Sequence, residues 1–425
     1  MSRLVVENVM VEGNRVTVDY RRTGFMRKLV KKGPFYAQYD VSIESVPVSL
    51  AVIPFLSAVS PVAWVSGSEV VVDKVDEVFI YSLRRVREAF RGFYPGLRFT
   101  GSVKGEIVSP EEVTGSHRSG LLFSGGVDSI FSFIAHRDEE PVLITVKGSD
   151  VRVFMDTAWE NTVKRVNGFT SAEGVEHRVV ESNFREIVNE LMIYAYFGEE
   201  IGYDWYGRVM HGLALTGLCA PVSVRCGLSR LYIAATHSAD NPVAWGSCPD
   251  IDNNIQWDGT RVIHDGYLFS RQERVERIAE HYGDGVYIRS CYRSEDGLNC
   301  CDCEKCYRTI IGLVLAGVAP EDFGFMVRPG VFNEIKDDLL VGRFRFGEDE
   351  LYMWRDLQKN IEINEDNIPE VQEFLRWLKE VDLIEFVDPE PLGAGALCLV
   401  KYLPAGLVAK MVEILNLKGL RCLLK

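Results

Sequence analysis

The chain has 425 residues, which at roughly 100–200 residues per domain predicts two or three domains. Its hydrophobic fraction of 47% and charged fraction of 25% are ordinary for a globular protein and exclude disorder, collagen and coiled coil as the main state. The 47 basic and 61 acidic residues give a net charge of −14. An acidic surface repels phosphate backbones, so the composition argues against non-specific nucleic-acid binding and leaves room only for a local basic groove.

One stretch, 46–68, contains no charged residue and is long enough to raise the question of a membrane span. Because Pro47, Pro54, Pro61 and several serines interrupt it, we expect a buried helix with bends and no membrane span. The first residues lack the apolar core of a secretory signal. All ten cysteines follow residue 218 and five of them cluster, which predicts a reducing, cytoplasmic location and one local metal site.

The pattern of strands and helices divides the chain into three blocks. Residues 1–115 open with alternating apolar residues and predict an N-terminal α+β domain. Residues 116–325 alternate strands, at 121–123, 141–146, 175–180 and 231–236, with helices. This alternation predicts an α/β fold with a doubly wound parallel sheet. Residues 326–425 predict a helical C-terminal region.

The sharpest motif is a glycine- and serine-rich turn that directly follows a buried strand and opens a helix. Glycines let the backbone approach an anion closely, and the helix start offers unpaired N–H groups and the positive end of its dipole. The turn therefore predicts a phosphate cradle. It is neither a Walker A loop nor a dinucleotide fingerprint, because the lysine and the glycine spacing of those motifs are missing. Its residues are Ser124, Gly125, Gly126, Val127, Asp128 and Ser129.

This turn resembles the Ser-Gly-Gly-x-Asp-Ser signature of the PP-loop ATP pyrophosphatases, whose fold is that of the adenine nucleotide alpha hydrolases. The resemblance implies that residues 124–129 hold the β- and γ-phosphates of ATP, usually with Mg²⁺. It also implies that attack on the α-phosphate adenylates the substrate and releases pyrophosphate. Asp128 is then a catalytic residue as well as a phosphate-loop residue, and Lys147, at the end of the next strand, lies near the adenosine.

Four cysteines, Cys291, Cys300, Cys303 and Cys306, have the spacing C-x8-C-x2-C-x2-C. The two short intervals place thiolates on one tight knuckle, which suits Zn²⁺ as a closed structural site. An iron–sulfur cluster is the alternative occupant. Cys301 is a fifth cysteine that does not fit this spacing, and it is either a reactive thiol or a substitute ligand. The other cysteines, Cys219, Cys226, Cys248, Cys398 and Cys422, are expected to be core residues.

A cysteine knuckle downstream of a PP-loop resembles the 7-cyano-7-deazaguanine synthases over about residues 118–320. Tyr206-Gly207-Arg208, the segment 247–250 and the helix start at 268–273 follow that family's pattern. The sequence departs from it in the long segments before and after the match and in the substrate loop at 245–254, which puts the deazaguanine substrate in doubt. The three-block layout also resembles the epimerase family that acts on UDP-N-acetylmuramoyl-L-alanyl-L-glutamate.

Several polar residues fall in segments that border the carboxyl edge of the predicted sheet, where open α/β sheets bind ligands. Arg208 is a candidate catalytic residue, because a guanidinium suits a phosphate or a carboxylate. A serine hydrolase has no support, since Gly-x-Ser-x-Gly is absent. The remaining candidates are His211, His237, Asp240, Asp250, Asp252 and His264.

The sequence therefore predicts an ATP-dependent enzyme that forms AMP and pyrophosphate while it adenylates a carboxylate, with ATP, Mg²⁺ and structural Zn²⁺. The expected substrate is a small or nucleotide-linked carboxylate. The sequence leaves open whether the protein forms a homo-oligomer. Two alternatives remain, namely an adenylation-driven amino-acid epimerase that acts on a cell-wall precursor and a tRNA-thiolating enzyme. The acidic charge balance weakens the second alternative.

Overall fold

The computed structural model describes residues 2–109, 117–291, 293–364 and 368–387. Every structural statement below concerns these residues. The last part of the predicted C-terminal region, 388–425, lies outside them, and with it the expectation that Cys398 and Cys422 are core residues.

Eleven strands of the described residues form one mixed, mostly parallel sheet. The fold is therefore α/β with a large sheet, as the sequence predicts. The spatial order is β10-β11-β9-β6-β7-β8-β3-β2-β1-β4-β5. The strands, in chain order, are β1 Arg3–Glu12, β2 Arg15–Thr23, β3 Phe35–Tyr39, β4 Glu69–Asp76, β5 Ser102–Val108, β6 Arg118–Leu122, β7 Val142–Lys147, β8 His177–Ser182, β9 Leu228–Ala234, β10 Gln256–Trp257 and β11 Thr260–Asp265.

The centre of the sheet consists of five parallel strands in the order β11-β9-β6-β7-β8. Numbered along the chain, this order is 3-2-1-4-5 read from β8, so the strand order reverses between β6 and β9. Open sheets of this kind bind ligands in the crevice above the carboxyl ends at the reversal point. Four of these strands were predicted within a few residues, and β11 was missed.

The first block adds its strands to the same sheet. Strand β3 pairs antiparallel with β8, with Ala37 opposite Ser182 and Tyr39 opposite Val180. Through this pairing β1–β5 extend the parallel centre, and one hydrophobic cluster contains residues from both blocks.

Helices cover both faces of the parallel centre. Val142 and Ile144 of β7 belong to one apolar core, whereas Leu143 between them belongs to the other, as alternating side chains of a doubly covered strand require. The helices are α1 Met26–Leu29, α2 Val48–Ala51, α3 Ile53–Ser66, α4 Glu77–Phe93, α5 Val127–His136, α6 Asp156–Glu173, α7 Glu190–Ile201, α8 His211–Leu218, α9 Ala220–Cys226, α10 Pro249–Asp252, α11 Arg271–His281, α12 Glu304–Leu315, α13 Val331–Leu340, α14 Glu348–Lys359 and α15 Pro369–Glu380.

Short turns of other helical types join these elements. A π-helical turn at Tyr206–Met210 leads directly into α8. Turns of 3₁₀ helix lie at Arg137–Glu139, Pro320–Phe323 and Leu383–Phe386. The three helices of the C-terminal block, α13–α15, pack into the same core as α5, so this block is attached to the helix that follows the glycine-rich turn.

The uncharged stretch 46–68 forms α2 and α3. Helix α3 contains Pro61 and is buried along almost its whole length, as expected from the sequence. Another segment, Tyr206–Cys226, is long and apolar enough to cross a membrane, but 72% of its most apolar window is buried inside the protein. We therefore interpret it as a core helix.

A histidine at the end of α5 makes folding stability depend on pH. The His136 ring stacks on Tyr232, and its nitrogens lie 3.0 Å from Asp265 and 3.2 Å from Glu139. Burial lowers the pKa of His136, but the two carboxylates raise it by more, and the net shift is upward. A group with a raised folded pKa stabilises the fold fully below its unfolded pKa of about 6.5, and this contribution is lost as the pH rises through the folded pKa.

We therefore expect His136→Asn to lower the free energy of unfolding more at about pH 5.5 than at about pH 8.5, which is about two units above the ordinary pKa of histidine. Urea unfolding curves at the two pH values measure the difference. The exposed His281 provides a matched control, because its substitution by Asn removes no buried ion pair. An equal loss at both pH values in His136→Asn would contradict the assignment.

Candidate functional site

The glycine-rich turn has the structural context that a phosphate cradle needs. Strand β6 ends at Leu122, and α5 begins at Val127 with Gly126 as its N-cap in an extended conformation. Gly125 has a φ of +70°, which favours glycine, and a Cβ there would meet no atom within 4 Å. The turn therefore presents open space beside a helix N-terminus. We call Ser124–Ser129 the phosphate loop.

The two serines of the phosphate loop fix its shape. The Ser129 hydroxyl donates to the Gly126 carbonyl at 3.1 Å and accepts from the Ser124 backbone N–H at 3.3 Å. The Ser124 hydroxyl accepts from the Gly126 N–H at 3.3 Å. The side chains of the loop thus brace its backbone through three internal hydrogen bonds.

Asp128 is held by two arginines of α11. Arg271 Nη1 lies 2.7 Å from Asp128 Oδ2, and Arg274 Nη1 lies 2.7 Å from Asp128 Oδ1. Burial raises the pKa of the Asp128 carboxyl, but the two guanidinium groups outweigh it and the net shift is downward. Asp128 is therefore ionised and committed to two cations. Its carboxylate thus closes an ion-pair network with two largely buried arginines.

Arg274 connects the phosphate loop with the end of β9, across the reversal point of the sheet. Its side chain is 1% exposed, and its Nη2 donates to the His237 carbonyl at 3.0 Å and to the Phe269 carbonyl at 2.9 Å. One guanidinium therefore fixes the distance between the phosphate loop and the segment after β9. This brings His237, one of the predicted polar candidates, to the crevice.

Helix α14 closes the crevice from the C-terminal block. The Asp349 carboxylate lies 3.2 Å from His237 Nε2, and Tyr352 Oη is hydrogen-bonded to Ser238 Oγ. Burial raises the pKa of Asp349, but His237 and the nearby charges of Arg208 and Arg308 outweigh it and the net shift is downward. The charge of Arg208 is thus close enough to act on Asp349, and its guanidinium lies beside Gly202 at the end of α7.

Lys147 lies at the carboxyl end of β7, as predicted, but its charge is engaged elsewhere. Its Nζ is 2.7 Å from Asp156 and 3.5 Å from Glu181, and burial of the ammonium is outweighed by these carboxylates, so its pKa is raised. Lys147 therefore orders the start of α6 on the β8 side of the sheet. The structure does not place it on the phosphate loop.

A group of buried polar atoms lies around the π-helical turn and the start of α8, close to Arg208. Tyr206 Oη, His211 Nδ1, Trp245 Nε1 and Asp252 Oδ1 have no hydrogen-bond partner among the described residues. The other oxygen of Asp252 accepts from Ser247 at 2.6 Å and lies 2.8 Å from Nδ1 of His264. Buried polar groups are costly when they are unpaired, so this group is suited to a polar ligand.

Two of the predicted polar candidates lie away from these contacts. Asp240 is exposed in the turn after β9, and Asp250 is exposed in α10, where its carbonyl accepts from the Asn254 side chain. None of the hydrogen bonds and ion pairs described above connects either residue to the crevice.

The four predicted metal ligands come together. The sulfurs of Cys291, Cys300, Cys303 and Cys306 all lie within 4.8 Å of one another, with 3.9 Å between Cys300 and Cys306 and 3.9 Å between Cys291 and Cys303. Tetrahedral Zn–S bonds of about 2.3 Å correspond to sulfur separations of about 3.8 Å. The cluster can thus hold a single metal ion and is consistent with zinc. An iron–sulfur cluster would hold the thiolates farther apart, because iron and sulfide lie between them.

Asn299 fixes the two segments that carry these ligands, and sequence reasoning missed it. Its Oδ1 accepts from the backbone N–H groups of Ser290 and Cys291, and its Nδ2 donates to the carbonyls of Ile288 and Gly324. Cys301 is buried outside the cluster, where its sulfur accepts from the Met326 N–H at 3.2 Å. It is therefore a structural thiol rather than a fifth ligand.

The segment that leads into Cys291 lies against the phosphate loop. The Arg289 N–H donates to the Gly125 carbonyl at 2.7 Å, and the Ser290 hydroxyl is 2.7 Å from the Thr309 hydroxyl of α12. Helix α12 begins directly after its N-cap Cys303 and carries Cys306 in its first turn. The metal cluster and the phosphate loop are thus neighbours in one hydrogen-bonded unit.

Comparisons with family models, with curated proteins and with solved structures found no match to the chain.

Proposed function

We propose that the protein is an ATP-dependent enzyme of the PP-loop type that transfers AMP to a carboxylate and releases pyrophosphate. The observation that carries the proposal is the phosphate loop itself, an open, serine-braced glycine turn between the central strand β6 and α5. It lies at the reversal point of a 3-2-1-4-5 sheet and lacks a Walker lysine. The 7-cyano-7-deazaguanine synthase resemblance of residues 118–320 points in the same direction.

In this proposal the chain contributes positioning and charge. The loop amides and the hydroxyls of Ser124 and Ser129 bind the terminal phosphates, and Arg271 and Arg274 keep the Asp128 side of the loop fixed. Mg²⁺ supplies charge neutralisation as the counterion of those phosphates. Asp128 is committed to two guanidinium groups, so its carboxylate does not offer a Mg²⁺ ligand in this arrangement.

The unpaired polar atoms beside the crevice form the proposed site of the acceptor substrate. Tyr206, His211, Trp245 and Asp252 supply donors and acceptors in a buried setting, and Arg208 supplies positive charge for a carboxylate. A carboxylate is a poor electrophile, and its adenylate has AMP as a good leaving group. The four-cysteine cluster, holding zinc, serves this site as structural support.

The side chains at the crevice help to distinguish the two alternative functions, tRNA thiolation and amino-acid epimerisation. Thiolation needs an accessible thiolate. Burial raises the pKa of Cys248 to about 12, and Cys301 is buried with its sulfur hydrogen-bonded, which disfavours both thiols as sulfur carriers. Epimerisation remains a second candidate because His237, oriented by Asp349 next to the phosphate loop, is placed to accept a proton from a substrate C–H group.

Incubation of the zinc-loaded protein with ATP, Mg²⁺ and a panel of carboxylates tests the proposal. AMP release that depends on one carboxylate and on ammonia or an amine indicates ligation. AMP release with solvent deuterium in the recovered amino acid indicates epimerisation, and a requirement for tRNA and a sulfur donor indicates thiolation. Absence of carboxylate-dependent AMP release across the panel, in protein that binds ATP, counts against adenylation of a carboxylate.

A further inference from the structure

Helix α12, which carries two of the four thiolates, also carries two cationic side chains near the phosphate loop. Lys305 stands between Cys303 and Cys306, and Arg308 follows three residues later. Side chains three apart share a helix face, so both cations project from one side of the first turns. We propose that Lys305 and Arg308 bind the terminal phosphates of the nucleotide, and this inference rests on the function proposed above.

A chain of hydrogen bonds places the first turns of α12 beside the phosphate loop. The Gly125 carbonyl accepts from the Arg289 N–H at 2.7 Å. The next residue, Ser290, donates to the Lys305 carbonyl at 3.3 Å and is bonded to the Thr309 hydroxyl at 2.7 Å. Two residues thus separate the loop from the backbone of α12. One backbone hydrogen bond and two bonds of the Ser290 hydroxyl therefore fix the backbone of Lys305 and Arg308 near the loop.

The charges at this place favour an anion. Four cations, Arg271, Arg274, Lys305 and Arg308, lie within electrostatic reach of one another or of Asp128. The side chains of Arg271, Arg274 and Arg308 are 11%, 1% and 12% exposed. The carboxylates of Asp128, Asp150, Glu304 and Asp349 lie among these cations.

Buried cations are unfavourable unless anions pair with them, and Arg271 and Arg274 share the single carboxylate of Asp128. Pyrophosphate and the β- and γ-phosphates of ATP are anions of matching chemistry. Arg308 is oriented for this role by Glu304, whose Oε1 lies 3.0 Å from Arg308 Nε and accepts from Trp354 Nε1 at 2.8 Å. Arg308 Nη2 also donates to Glu304 Oε2 at 3.4 Å, so one outer nitrogen of the guanidinium, Nη1, is left for a phosphate oxygen.

The test measures calorimetric binding of inorganic pyrophosphate, α,β-methylene-ATP and AMP to full-length, zinc-loaded protein. Loss of one charge-assisted hydrogen bond weakens binding by about tenfold or more, so we expect this effect on pyrophosphate and α,β-methylene-ATP in Lys305→Gln and in Arg308→Gln. AMP affinity should change less than about twofold, because AMP lacks the terminal phosphates. Lys305→Arg, which keeps the charge, should restore most of the pyrophosphate affinity.

Matched controls are Lys164→Gln and Arg277→Gln, which remove exposed charges of the same types from α6 and α11. Zinc content and melting temperature show whether each variant keeps its fold. Unchanged pyrophosphate affinity in both α12 variants, in a wild type that binds it, overturns the inference and leaves the proposed function standing. Equal loss of AMP and pyrophosphate binding, or loss of zinc, overturns it in favour of a structural role. A wild-type protein that binds none of the three ligands counts against the proposed function itself.

Discussion

We expect Cys303→Ser to remove most of the bound zinc and to lower the melting temperature by ~5–10 °C. Structural zinc sites in small peptides have apparent binding free energies of about 10–16 kcal/mol, and here part of that free energy orders the segments that carry the four thiolates. Cys303 is also the N-cap of α12, and serine is a favourable N-cap residue, so the loss of stability reports the lost metal and not a lost helix cap. Metal analysis of purified protein and thermal unfolding measure the two effects, and we expect one zinc per wild-type chain.

The neighbouring thiol provides the control. Cys301 is buried like Cys303 but lies outside the cluster, and serine can keep its hydrogen bonds to Met326 and Asn299. Cys301→Ser should therefore retain its zinc. Iron with inorganic sulfide in the wild type, or full zinc occupancy in Cys303→Ser, would contradict the assignment.

We expect Gly125→Val to abolish the proposed nucleotide binding. The space beside Gly125 contains no atom within 4 Å of a built Cβ, and in the proposal this is the space that the phosphates occupy. A β-branched side chain fills it. The φ of +70° adds backbone strain of about 1–3 kcal/mol, so the loop also shifts away from the conformation that its serines hold. Calorimetry with α,β-methylene-ATP should show at least a ~100-fold loss of affinity, equivalent to about 2.8 kcal/mol.

A second glycine provides a control that distinguishes the effect of backbone strain from the effect of a blocked nucleotide site. Gly174, at the end of α6, has the same φ of +70° and the same open surroundings, but it lies far along the chain from the phosphate loop. Gly174→Val should lower the melting temperature by a similar amount and leave nucleotide affinity unchanged. Retained binding in Gly125→Val would show that the phosphates lie elsewhere.

The parts of the site that the sequence predicted are those that are local in the chain. The phosphate loop needs a strand, a glycine turn and a helix start within about ten residues, and the cysteine knuckle needs four thiols within sixteen, so both can be read from short patterns. The residues that pair with these motifs could not be predicted from the sequence. Arg271 and Arg274 pair with Asp128 across 143 and 146 residues, and no local pattern encodes such pairings.

The same reason explains which contacts of the predicted residues the sequence could not show. Asp128 looks like a loop-tip residue in sequence, because the arginines that bury it come from α11. Lys147 lies at the end of β7, as expected. Its Nζ donates to Asp156, so its ammonium group lies at the start of α6. Likewise the alternating strands of the first block were recognisable, whereas their union with the parallel centre depends on the pairing of β3 with β8, which is set by the tertiary fold.

The position at which ATP is cleaved tests the central claim most directly. Phosphorus NMR of the zinc-loaded protein with ATP, Mg²⁺ and the carboxylate that supports turnover resolves the products. A PP-loop enzyme holds the two terminal phosphates together at Ser124–Ser129, so the account predicts AMP and pyrophosphate in equal amounts, with neither formed by Gly125→Val. The appearance of ADP and orthophosphate in their place would contradict the account.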